Sequence, residues 1–140
     1  MKIFFMSLFV FLAASSFVLA SDAQLEKALN LLNDGHVDQA MEIVKAKLKN
    51  EPASSDNYLA MGMVQLEKNN YAEAKDNLKK ALQLDKKIVA AHYMLAMIYE
   101  KEGAYSEAAD KWKKIVKYSE DDDLKSLAEK HIEQLKAEVK

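Results

Sequence analysis

Residues 55–88 read SDNYLAMGMVQLEKNNYAEAKDNLKKALQLDKKI, and this stretch decides the fold. Leu59, Gly62, Met63 and Leu66 recur at intervals of three and four, and so do Ala74, Leu78, Ala81 and Leu82. That period gathers each set on one side of an α-helix, so two amphipathic helices of about four turns are expected. Between them Lys68-Asn69-Asn70 breaks the pattern. An Asn there ends the first helix with a left-handed residue.

Moving outward by 34 residues in either direction returns the same residue types without a gap. Ala28, Gly62 and Ala96 are small, and Ala40, Ala74 and Ala108 are identical. Gly35, Asn69 and Gly103 all tolerate positive φ. Val37, Tyr71 and Tyr105 are large, as are Val44, Leu78 and Trp112, and Leu48, Leu82 and Val116 complete the series. The small columns let two helix axes approach, and the large residue after each turn fills the wedge at the hairpin end. The unit is therefore an antiparallel helix pair, and three copies stack on one another. Beyond them Leu124, Leu127, Ala128, Ile132 and Leu135 form one more helical stripe, opposite Lys125, Glu129, Lys130, Glu133 and Lys136.

The pattern resembles the tetratricopeptide repeat (TPR) family. That family shares the length of 34, the small residue early in helix A (the first of each pair), the aromatic before helix B and the Ala inside helix B. Tyr58, Gly62, Tyr71, Ala74, Leu78 and Ala81 carry the resemblance in the second copy. Leu95, Ala96, Tyr99, Gly103, Tyr105, Ala108 and Trp112 carry it in the third. In the first copy Ala28, Leu31, Gly35, Ala40 and Pro52 fit, while Gln24, Lys27 and Lys47 stand where apolar residues are usual. The resemblance implies an all-α α-solenoid of three TPR helix pairs, at 21–54, 55–88 and 89–122. A C-terminal capping helix at 123–140 closes the stack. It also implies a concave groove lined by helix A residues: Leu25, Leu29 and Leu32, then Leu59, Met63 and Leu66, then Tyr93 and Met97. Where the chaperone-binding subclass uses Lys and Asn to hold a terminal carboxylate, this chain has Leu25, Leu29, Ala60, Ala90 and Met94, so that clamp is absent. Packing between neighbouring helices is the competing role for the leucines, whereas Met63, Tyr93 and Met97 are expected to touch a ligand.

Composition narrows the chemistry. The chain of 140 residues has the length of one domain and carries a net charge of −2. All of its bases are Lys, so it lacks both the basic footprint of a nucleic-acid protein and bidentate guanidinium clamps. It has no Cys, which removes disulfides, thiolate metal sites and cysteine nucleophiles. Three Gly and one Pro leave too few turns for an all-β fold and no phosphate-cradling loop. His36, His92 and His131 lack metal-ligand spacing and read as surface or partly buried side chains. The acidic run from Glu120 to Asp123 lacks the alternation of a calcium loop and suits a helix N-terminus instead. Lys111, Lys113, Lys114 and Lys117 read as a solvated outer face.

Met1 to Ala20, MKIFFMSLFVFLAASSFVLA, has one basic tip residue, an apolar run and a small residue before Ser21-Asp22. These are the parts of a secretory signal peptide cleaved near Ala20. Its removal leaves 19 lysines against 22 acidic residues, a balance of −3.

The expectation that follows is an exported, periplasmic or secreted, non-catalytic protein–protein interaction adaptor. Its groove would hold a peptide or helix of a protein partner in a cell-envelope assembly. No cofactor, metal, nucleic acid or small-molecule substrate is expected. Two rival outcomes are a homodimer formed through the groove or an end helix, and an assembly factor that touches the membrane through an uncleaved leader.

Overall fold

Turns set the architecture. At three places 34 residues apart, a residue takes a left-handed backbone: Gly35 at φ 82°, Asn69 at φ 60° and Gly103 at φ 74°. Each closes the helix before it with the same backbone bonds. The N–H groups of His36, Asn70 and Ala104 donate to the carbonyls of Leu31, Gln65 and Tyr99 at 2.7, 2.9 and 2.8 Å. Those of Gly35, Asn69 and Gly103 donate to Leu32, Leu66 and Glu100 at 3.1, 2.9 and 3.1 Å. This double closure satisfies carbonyls that a helix end otherwise leaves open.

The computed structural model describes residues 22–138, and the leader expected at 1–20 lies outside them. Among the described residues there are seven helices and no strand. They are α1 (Ala23–Asn33), α2 (Val37–Asn50), α3 (Ser55–Glu67), α4 (Tyr71–Leu84), α5 (Val89–Glu102), α6 (Tyr105–Tyr118) and α7 (Asp122–Glu138). Capping residues mark several starts. Asp22 accepts from the N–H groups of Gln24 and Leu25, Ser54 from that of Asn57, and Asp121 from those of Asp123 and Leu124. The acidic run thus serves the last helix, as its position implied.

Three apolar cores follow one another along the stack. The first joins α1 and α2 to Ala60, Met61 and Val64 of α3. The second joins α3 and α4 to Ala91, Met94, Leu95 and Ile98 of α5. The third joins α5 and α6 to Ala128 and Leu135 of α7. Every pair is therefore sealed by the helix that follows it, the arrangement expected of an α-solenoid. Ala40, Ala74 and Ala108 are fully buried, and so are Val44, Leu78 and Trp112. At Gly62 even a single added carbon would lie 2.8 Å from Cγ and Cδ2 of Leu78, which explains glycine in this small-residue column.

The second helices match the one-sided stripe read from the sequence. The first helices of the second and third pairs do not. α3 and α5 each bury seven residues, against two or three in α2, α4 and α6. The reason is position: α3 packs against α1, α2 and α4 together, and α5 against both α4 and α6. A helix with neighbours on several sides has little polar face to show.

In the first pair, Gln24 and Lys27 point to solvent. Lys47 occupies the column of Ala81 and Ile115, and its ammonium pairs with Asp22 and, at 2.6 Å, with Glu51. The Lys47 hydrogen bond holds the Asp22 carboxyl below its usual range.

Candidate peptide-binding face

Asp22, Glu26, Leu29 and Asn33 lie four, three and four residues apart, which puts them on one stripe of α1 and its N-cap. Asp56, Ala60, Met63 and Glu67 repeat that stripe on α3, and Ala90, Met94, Met97 and Lys101 repeat it on α5. α1 touches α3 directly, and α3 shares a core with α5, so the three stripes form one inner wall. The centre of that wall is the column Leu29, Met63 and Met97. All three side chains are half-buried, resting on the apolar cores with one side left open.

This placement corrects five of the eight residues expected to line the groove. Leu25, Leu32, Leu59, Leu66 and Tyr93 are 1%, 6%, 2%, 8% and 7% exposed and belong to the cores. Leu25, Leu59 and Tyr93 form one column, turned from the open stripe towards the neighbouring helices. Tyr93 meets Trp112 edge-on at 5.3 Å between ring centres. Burial, with the charge of Glu100 added, pushes its phenol up to about 12. It is a packing residue in this conformation. Leu29, Met63 and Met97 remain reachable.

Asp56 is a member of the wall that apolar periodicity did not reveal. It is half-buried and has no ion pair or hydrogen-bonded side-chain partner among the described residues. Burial and then the nearby charge of Asp85 raise its carboxyl above the usual range. Its signal in the sequence was only its register: it stands in the column of Asp22 and Ala90.

Two polar groups are consumed by structure. Glu100 Oε1 accepts from Trp112 Nε1 at 2.5 Å and lies 2.9 Å from His131 Nδ1, while the Trp112 and His131 rings stack at 4.2 Å. One carboxylate thereby links α5, α6 and α7. His92 corrects the reading of all three histidines as surface or partly buried, since it is 4% exposed. Its Nε2–H donates to the Lys86 carbonyl at 2.9 Å, leaving Nδ1 buried without a partner. Burial pushes its pKa down, so the ring is neutral at pH 7. No group of residues with the makings of a metal site is present among those described.

Comparison with known proteins agrees with this architecture. Residues 59–121 match the family described as Tetratricopeptide repeat. Human Superkiller complex protein 3 is 29% identical over 117 residues, covering 82% of this chain. The chain spans only 8% of that relative's length. Among solved structures, the Arabidopsis OM64 TPR domain superposes with a TM-score of 0.72 at 23% identity, covering 82% of this chain and 95% of that one. The Yersinia enterocolitica type III secretion translocator chaperone SycD gives 0.69 at 17% identity, over 82% and 80% of the two chains. At these identities the two structures speak for the fold.

Proposed function

From the match of residues 59–121 to the tetratricopeptide-repeat family and the shared fold, we propose that this chain is a non-catalytic adaptor that holds a segment of another protein along its inner wall. The observation that carries this reading is the column Leu29, Met63 and Met97. It supplies one reachable apolar side chain per repeat, in register, on a face built by the first helix of each pair. Apolar side chains left open in a row favour contact with another chain. Two of them are methionines, whose flexible thioethers adapt to differently shaped partners. Export to the periplasm or the medium, with cleavage near Ala20, and a role in a cell-envelope assembly belong to the same proposal. They rest on the composition of residues 1–20.

Site-specific photocrosslinking tests the reading. A photoreactive residue at Met97 on the inner wall is expected to yield adducts with a defined partner, and one at Lys79 on the outer wall is not. Equal adducts from both positions would defeat the assignment. An adduct of twice the protein's own mass would replace the partner by a second copy of the chain. Intact mass of the fractionated protein addresses export: loss of the leader is expected, and retention of Met1 would favour the membrane-anchored form.

A further inference from the structure

The inner wall is chemically uneven along the stack, and the unevenness describes what it would hold. Over the first two repeats the open stripe carries Glu26, Asp56 and Glu67 beside Leu29 and Met63. None of these three carboxylates has a lysine partner among the described residues. Over the third repeat the same stripe is Ala90 and Met97, with Met94 buried between them, ending in Lys101. That lysine is already engaged, its ammonium 4.0 Å from the centre of the Tyr71 ring and 2.5 Å from the Tyr71 hydroxyl.

The second helices mix acidic residues with a repeated lysine column. Lys45, Lys79 and Lys113 stand 34 residues apart and are all exposed, one on the second helix of each pair. Lys68, next to Glu67 in sequence, pairs instead with Asp38 at 2.7 Å, and among the described residues the exposed Lys27 makes no ion pair with its neighbour Glu26. Asp56 bears the largest consequence, because it is half-buried with the charge of Asp85 nearby and no cation in contact. An arriving cation would relieve both the repulsion and the incomplete solvation.

Resting on the adaptor reading, we propose that the occupant of the inner wall is a cationic amphipathic segment. Its lysines or arginines lie over the first two repeats, and its apolar side chains over Met63 and Met97. The wall therefore sets direction as well as class. A segment laid the other way round would put its cations over Met97 and beside Lys101, leaving the carboxylates unmatched.

Two fluorescein-labelled synthetic peptides test this: one with lysines at one end and an apolar stripe at the other, and a twin with glutamates replacing the lysines. Fluorescence anisotropy with the purified protein is expected to show the lysine peptide binding about tenfold tighter, with the preference shrinking as salt rises. The Glu26→Gln/Asp56→Asn variant is expected to lose that preference. Met63→Ser is expected to weaken both peptides alike. Should Asp56→Asn disturb the helix by circular dichroism, Glu26→Gln/Glu67→Gln at two exposed positions provides the same test. Equal binding of the twins, or a preference that survives both charge variants, overturns the cationic assignment and leaves the adaptor reading standing. Binding of neither peptide overturns both.

Discussion

The helices α5 and α6 belong to one repeat, have the same length of 14 residues, and are written in different alphabets. α6 carries its apolar residues in one stripe around Ala108, Trp112 and Ile115, with lysines elsewhere. α5 reads AHYMLA across its middle and is buried nearly all round. α6 has an open side, whereas α5 is enclosed by its own partner and by the preceding pair. A periodicity search recognises the first kind directly. The second kind is recognised by a stretch without Lys, Asp or Glu, from Val89 to Tyr99, and by its neighbours in the repeat. In a solenoid, the helix that looks least amphipathic is the one that holds adjacent repeats together.

The largest test of this contrast is Trp112→Ala. Trp112 is the bulky centre of the α6 stripe, and removing it opens a cavity and strips a donor from Glu100. A loss of about 3–5 kcal/mol is expected in denaturant unfolding. A loss below about 1 kcal/mol, the size of an ordinary single substitution, would mean that α5 holds the third repeat without its partner.

Gly62→Ala sharpens the contrast within the second repeat. The added carbon meets Leu78 at 2.8 Å, and overpacking of this kind costs about 1–3 kcal/mol. The first repeat points to a remedy, because there Ala28 is accompanied by Val44 at the position of Leu78. Leu78→Val in the Gly62→Ala background is therefore expected to restore part of the melting temperature. An equal or larger loss in the double variant would show that the two columns do not meet as described.

Acid separates α5 from α6 by charge. His92 has its pKa lowered by burial, so the unfolded chain takes up this proton more readily than the folded one. Its contribution is full above the ordinary histidine value of 6.5 and is lost as pH falls below it towards the lowered folded value. The slope from this one group is at most about 1.4 kcal/mol per pH unit. His92→Gln, which keeps a donor for the Lys86 carbonyl, is expected to flatten the dependence of unfolding free energy on pH below 6.5. An unchanged slope would assign acid sensitivity to other groups.

The smallest effect is expected at Lys79→Ser on the outer wall of α4. An exposed lysine with no ion-pair partner among the described residues should change stability by no more than about 0.5 kcal/mol. A larger change would give the lysine column a structural role.

Much of this was legible before any coordinates. The period of 34 rests on residues whose types follow from their surroundings: Ala is completely buried at 40, 74 and 108, and left-handed backbone selects Gly or Asn at 35, 69 and 103. The inner wall was legible in its column Leu29, Met63 and Met97, but not in its limits. Leu59 and Met63 are both apolar and only one turn apart, yet the first is core and the second is open. Telling them apart requires knowing where the adjacent helices lie. Asp56 and His92 escaped for a related reason. Their character comes from neighbours distant in sequence, Asp85 and Tyr118, the latter stacking on His92 at 5.9 Å.

The carboxylate of Glu100 has a use for the experimenter. Trp112 is the sole tryptophan of the chain, and its indole N–H is bonded to Glu100 under the stacked ring of His131. That proton can exchange with solvent deuterium only when α7 lifts away or the whole third repeat opens. Its exchange rate, read from one resolved indole resonance, is thus an intrinsic clock for detachment of the last helix. Comparing it with the amide protons of α5 would tell whether the stack unravels from its C-terminal end or comes apart at once.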